Sequence, residues 1–247
     1  MGYKRTLAPA LECPFQPADH CRSCDCRKRC FFNFLSPDSL KRFRAQRQMR
    51  RYKAHQVIFQ EGEQPQGIFI LCVGDVKVSK ADERGRELTL MYLSCGDLVG
   101  EVPFLGGEPY CATAETLRDS VVCFMPRELV EHVMTQEPEF SRRLLRKVSR
   151  IACRTMDRAF GFAFRSSESR LASFILSIKP PAGSPTALPC HGKADYSRRE
   201  IAENLGLSPE TVIRTLSSFQ SRGIIRLNGK AIEVRNRTAL ESVALEH

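Results

Sequence analysis

Cys13, Cys21, Cys24, Cys26 and Cys30 fall within eighteen residues of one another, and they are the first groups in this 247-residue sequence that could do chemistry. Thiolates are the ligands of structural zinc and of iron–sulfur clusters. The spacing Cys21-x2-Cys24-x5-Cys30 brings three of them within reach of one centre, with Cys26 inside that loop and Cys13 upstream as alternates. Arg22, Arg27, Lys28 and Arg29 interleave with them; neighbouring cations lower thiol pKa values and offset the charge of an anionic cluster. A zinc site ordinarily shows two paired Cys/His knuckles. The second pair is missing, although His20 could stand in for a thiolate. Iron–sulfur, zinc and a metal-free thiol site all remain open at this point. Phe31-Phe32-x-Phe34-Leu35 follows directly as an aromatic lid.

A second constellation spans Tyr196 to Arg222. Ser197 and Glu200 form a capping box, Ile201, Ala202 and Leu205 make an apolar helix face, and Gly206 permits a sharp turn. Ser208 caps a second helix with Pro209 in its first position, and Val212, Leu216 and Phe219 repeat at helical spacing. Glu210, Ile213 and Arg214 are left facing outward, where a helix-turn-helix presents side chains to base edges in the major groove. Ser208, Thr211 and Arg198 complete the candidate DNA-contacting set. Gly223 to Val234 reads as a hairpin turning at Asn228-Gly229, a wing.

Charge placement qualifies the DNA reading. The formal net charge is +10. Residues 22–53 hold 11 Lys/Arg against 2 acids, whereas 165–247 hold 12 against 8. The positive block sits beside the cysteines, so the high pI alone is a weak argument for DNA. No signal peptide or spanning segment is evident, the most apolar run, Ile68 to Val73, being too short. A cytoplasmic location without a membrane partner is expected. In a reducing compartment eleven cysteines point to ligands or redox-active thiols rather than disulfides.

The elements that must position these groups follow from pattern. Ser36-Pro37 predicts a helix through about Arg50. Short alternating runs at 57–59, 68–71, 76–78, 88–92 and 120–124, separated by Gly-containing turns, predict a jelly roll or β-sandwich. Arg127 to Met134 reads as a short helix. Pro138 opens a long one to the Gly161 region, with Leu144, Leu145, Val148, Ile151, Ala152, Thr155, Met156, Ala159 and Phe160 at three- and four-residue steps. That stripe fits a two-helix seam in a homodimer better than a core, since helix-turn-helix proteins act on paired half-sites. Leu145, Val148, Ala152, Thr155 and Ala159 are its candidates. A helix capped near Ser166 runs to Ile178, and Pro180 to Pro185 is a loop.

This order of parts, with Gly96-Asp-Leu-Val-Gly-Glu101 in the roll, resembles the Crp–Fnr superfamily of bacterial transcription regulators over essentially the whole chain. Cys21-x2-Cys24-x5-Cys30 is similar to the oxygen-sensing Fnr branch, whose fourth ligand lies in the roll. Asp119 to Pro126 resembles the segment that holds it, so the resemblance nominates Cys123. It implies a four-iron, four-sulfur cluster that favours the dimer and whose conversion by oxygen abolishes tight operator binding. It implies RNA polymerase as a partner, the Lys80–Glu87 hairpin resembling surfaces that touch it. Cyclic-nucleotide sensing, the superfamily's other well-known input, is not expected: Tyr110-Cys111 stands where an Arg-Ser phosphate clamp would be. Two departures matter. Ile213 replaces a Ser usual in Fnr-like proteins and would favour a thymine methyl. Thr155 stands where they place a dimer-opposing Asp.

The expected architecture is therefore α+β: a Cys-rich segment (1–35), a β-roll sensor domain (36–134), a dimerisation helix (135–165) and a winged helix-turn-helix (166–247). His55, His132 and His191 are scattered and no acid–base pair is evident, so an enzyme is not expected.

Overall fold

The computed structural model describes Phe31, residues 34–178 and residues 196–246. Cys13, Cys21, Cys24, Cys26, Cys30, His20, His191 and the Pro180–Pro185 loop lie outside the described residues.

Helix α1 (Pro37–Gln46) starts as expected, with the Ser36 side chain accepting from the Ser39 amide and Pro37 in the first turn. It ends sooner. Arg47 turns extended, and Gln48–Tyr52 becomes strand β1, paired antiparallel to β8 from Gln48↔Phe124 to Tyr52↔Ser120. The predicted continuation to Arg50 is thus corrected. Helix-compatible Arg and Gln yield there to a sheet edge that needed a partner, tertiary pairing overriding weak propensity.

The strands β1 (Gln48–Tyr52), β2 (Val57–Phe59), β3 (Gly67–Val73), β4 (Asp75–Ala81), β5 (Glu87–Ser94), β6 (Leu98–Val99), β7 (Thr113–Thr116) and β8 (Ser120–Pro126) form two four-stranded sheets. Their orders are β1-β8-β3-β6 and β2-β7-β4-β5. Besides β1, the strands β6 and β7 have no counterpart among the sequence-predicted runs. Two layers bury the first sheet on both faces. Phe69, Leu71, Val122 and Phe124 point between the sheets with Phe59, Val76 and Tyr110. Ile68, Ile70, Cys123 and Met125 point outward under α1, α3 (Arg127–Gln136) and the start of α4 (Pro138–Phe164), meeting Phe43, Leu129, Val133, Phe140 and Leu144. That is why β3 and β8 are continuously apolar and buried where alternation is expected. Gly74, at φ +107, makes the β3–β4 turn, where a Cβ would stand 2.0 Å from Ser120 Oγ. A short helix α2 (Glu101–Gly106), which the sequence pattern does not announce, follows β6.

Helix α4 divides in two. Phe140 and Leu144 are buried against the roll, while Leu145 and Met156 are 68% and 70% exposed and Ala152, Thr155, Ala159, Phe160 and Phe164 are exposed as well. Beyond it lie α5 (Ser167–Ile178), α6 (Arg198–Leu205), α7 (Pro209–Ser221), the hairpin β9 (Ile225–Asn228)–β10 (Ala231–Val234), and α8 (Arg237–Leu245). These close around Leu171, Ile175, Ile201, Val212, Leu216, Phe219, Ile232 and Leu240. Helix α8 is also additional to the sequence expectation, although the Asn236 cap and the spacing of Leu240, Val243 and Ala244 carry its signal.

Candidate nucleic-acid interface and thiol layer

Local capping builds the helix-turn-helix. The Ser197 amide donates to Glu200 Oε2 at 2.8 Å and the Glu200 amide returns to Ser197 Oγ at 3.2 Å, a complete capping box. Gly206, at φ +60, takes the left-handed turn that ends α6. Ser208 then caps α7: its Oγ accepts from the Thr211 amide at 3.2 Å and lies 3.1 Å from Thr211 Oγ1. Ser208 and Thr211 are thus engaged in holding the helix start. Val212, Thr215, Leu216 and Phe219 go inward, leaving Glu210, Ile213 and Arg214 exposed together, with Ile213 at 52%.

Glu210 is held below the usual carboxylate range by its backbone amide and the Ser208 hydroxyl. It remains an anionic acceptor, able to receive an exocyclic amine such as cytosine N4, while Arg214 offers paired donors suited to guanine. Arg198 has a different placement: its Nη2 donates to the Gly229 carbonyl at 3.1 Å, tying the start of α6 to the tip of the wing. Arg226 and Lys230 are exposed on that wing, two cations that the helix-turn-helix pattern alone does not single out.

The thiol layer lies on the opposite part of the chain. Cys123, opposite Ile70 and Met49 in the sheet, is 1% exposed and takes part in no disulfide. Phe31, Phe34, Leu35 and Cys72 pack, partly buried, against the layer that contains it. The Phe31 ring meets Phe140 edge-on at 5.4 Å, and Arg143 lies 4.1 Å above the Phe34 ring. The aromatic lid therefore seats the chain just after Cys30 on the face that carries Cys123. Sequence spacing does not point to two further cysteines here. Cys72 shares the layer, and Cys95 Sγ lies 2.9 Å from the Cys72 carbonyl oxygen. Cys95 is disulfide-bonded, whereas Cys72, Cys111, Cys123 and Cys153 are not. The bonded Cys95 corrects the expectation that the cysteines form no disulfides. Among the described residues alone, no three His, Cys, Asp or Glu side chains converge as a metal site.

Between the sheets and α4 sits a third polar feature. Glu101 is buried, and its carboxylate pairs with Lys147 of α4 at 2.7 Å; Lys147 also donates to the Leu98 carbonyl at 2.8 Å. Nearby, Tyr110 stacks on Phe59 with ring centroids 3.6 Å apart, and burial pushes its phenol up to about 12. His55 pairs with Glu115 at the surface, and nothing around it resembles a catalytic constellation. No described helix is long and apolar enough to cross a membrane.

Comparison with known proteins agrees with this architecture. Residues 49–137 match the cyclic nucleotide-binding domain family and residues 169–243 the Crp-like helix-turn-helix domain family. The chain is 27% identical over 209 residues to a CRP-like cAMP-activated global transcriptional regulator of Mycobacterium tuberculosis, covering 85% of this chain and 93% of that one. It is 25% identical over 228 residues to the fumarate and nitrate reduction regulatory protein of Escherichia coli, covering 92% and 91%. In fold it is similar to FixK2 from Bradyrhizobium japonicum, with a TM-score of 0.67 at 24% identity over 81% of this chain and 98% of that chain. These relatives are transcription regulators, not enzymes. A β-roll joined by a long helix to a capped and winged helix-turn-helix, matched by both domain families, places this chain in the Crp–Fnr family of DNA-binding transcription regulators.

Proposed function

We propose that this regulator is a cytoplasmic homodimer whose operator binding is controlled by an oxygen- or redox-sensitive four-iron, four-sulfur cluster held by Cys21, Cys24, Cys30 and Cys123. The observation that supports this reading is the burial of Cys123 in the layer against which Phe31 and Phe34 pack. Phe31, which follows Cys30 directly in the chain, packs against the layer that contains Cys123. A set of thiolates with cations interleaved suits an anionic iron–sulfur group, which would supply an oxidisable iron centre. The protein's own contribution is to hold Cys123 on a rigid strand and to cover it from water with Phe31, Phe34 and Phe140.

Glu210, Ile213 and Arg214 would read the operator half-site, with Arg226 and Lys230 of the wing on phosphates. The stripe of Leu145, Ala152, Thr155 and Ala159, all exposed, with the half-buried Val148, would form the seam between two copies. Double-stranded DNA, a second copy and RNA polymerase are the partners; the exposed turn between β4 and β5 suits the last. A cyclic nucleotide is not the input in this reading. The Glu101 carboxylate is already taken by Lys147, and Tyr110 and Cys111 offer no cation to a cyclic phosphate.

A second reading keeps the DNA binding and makes the cysteines a thiol-redox or zinc site. The disulfide at Cys95, beside Cys72 in the same part of the roll, favours it. Anaerobic purification with iron, zinc and acid-labile sulfide assays, before and after air, separates the two. About four irons per chain with a broad visible absorbance that bleaches in air, both lost in Cys24→Ala and Cys123→Ala, are expected. A colourless protein with zinc or with titratable thiols would replace the first reading by the second.

A further inference from the structure

One guanidinium bonds both the β-roll and the winged helix. Arg158 leaves α4 half-buried and donates to three carbonyl oxygens: Leu90 at 2.8 Å, Thr89 at 3.0 Å and Asn204 at 2.7 Å. The first two belong to β5, an outer strand of its sheet in the described topology, whose outward carbonyls have no neighbouring strand to receive. The third belongs to the last turn of α6, where helical carbonyls are left without an internal partner. No carboxylate among the described residues forms an ion pair with Arg158. It is thus a forked donor spent wholly on the unsatisfied backbone of two different domains.

The surroundings repeat the theme. Arg170 of α5 donates to the Leu205 carbonyl at 3.1 Å, so two cations stand at the negative end of α6. Both guanidiniums lie over the Phe162 ring, at 5.5 and 5.7 Å from its centroid. A Cβ on Gly206 would meet Phe162 at 3.5 Å and Leu88 of β5 at 3.8 Å, so the turn of the helix-turn-helix rests on the same spot. Tyr92 of β5 is buried in the winged-helix core and packs its ring 5.4 Å from Tyr196.

We propose that Arg158 is a positioning residue for DNA binding: by joining β5 to the end of α6 it sets the angle at which the recognition helix leaves the roll. A dimer that must place two recognition helices in two half-sites gains from a fixed angle, because each then binds as if already aligned. The second part of this inference rests on the dimer reading above; the docking itself does not.

The test uses the full chain and the variants Arg158→Ala and Arg158→Lys. Hydrogen exchange of the peptides covering Glu87–Ser94 and Arg198–Leu205 should rise together in Arg158→Ala, with Ser120–Pro126 and Pro209–Ser221 unchanged. Arg158→Lys keeps the charge but cannot fork across three carbonyls, so it should behave like the Ala variant. Unchanged exchange in both variants, or full rescue by Lys, overturns the docking role. With duplexes selected from random DNA by the wild-type protein, Arg158→Ala should lose about tenfold in affinity for two half-sites and little for one. An equal loss on both duplexes would mean that Arg158 supports only the fold of the winged helix. Should the wild type itself show no preference for two half-sites, the dimer reading falls, and the exchange data still decide whether Arg158 docks the domains.

Discussion

The winged helix and the thiol layer of the roll obtain their geometry by opposite routes. In the winged helix the contacts that start and turn its two central helices are short-range: Ser197 with Glu200, Ser208 with Thr211, and Gly206 between them. Around Cys123 every positioning contact is long-range. Its neighbours in the sheet are Ile70 and Met49, and its layer is shared with Phe43 and Phe140 and closed by Phe31 and Phe34. A DNA-reading surface can therefore be kept by a short stretch of chain, whereas the sensing surface exists only once the roll has closed. Helix α4 touches both, with Phe140 and Leu144 in the thiol layer and Arg158 at the winged helix.

The comparison can be pressed hardest at Phe140. Phe140→Ala empties a fully buried site under Cys123 and should cost about 3–5 kcal/mol. Chemical denaturation followed by α-helix and aromatic signals should show the roll losing stability while the winged-helix transition stays in place; a uniform shift of both would mean that the two units unfold as one. At the DNA surface, Arg214→Ala should cost roughly 1–3 kcal/mol of operator binding and relax preference at one base pair. A selection experiment in which all sequences weaken equally would reassign Arg214 to phosphate. Ser197→Ala removes one half of the capping box and should destabilise the winged helix by about 1 kcal/mol, read as a shift of its melting transition alone. The smallest effect on folding is expected at Leu145. Leu145→Ser should leave the stability of the monomer within about 0.5 kcal/mol, because the side chain is already exposed, while analytical ultracentrifugation shows weaker self-association. A large loss of monomer stability there would instead make the stripe part of a core.

The two regions differ in how far the sequence exposes them. Capping residues, the Gly turn and the apolar spacing of Val212, Leu216 and Phe219 lie within a few residues of what they organise, so the recognition helix and its outward face are legible from local pattern alone. The roll is legible only as a class. Strand runs and turns announce a β-sandwich, yet β7 escapes because Thr113–Thr116 carries little apolar signal, and residues 48–50 read as helix because what makes them a strand is the open side of β8. Likewise Arg198 looks like a DNA contact from its place at the start of α6, and the structure ties it to the carbonyl of Gly229, thirty-one residues away.

What the sequence determined by itself was the set of local instruments: caps, turns, helix faces, a cysteine run with its cations, and the order in which they follow. Tertiary structure alone decided which of them face one another. It placed Cys72 in the layer of Cys123, gave Lys147 rather than solvent to Glu101, and brought an outer strand and a helix end to the same guanidinium at Arg158. The physical reason is one of range. Capping and helical periodicity act over three or four residues and leave a mark in sequence. Hydrogen bonds to unsatisfied backbone carbonyls leave none, since every residue carries the same carbonyl and only the closed fold reveals which ones lack a partner.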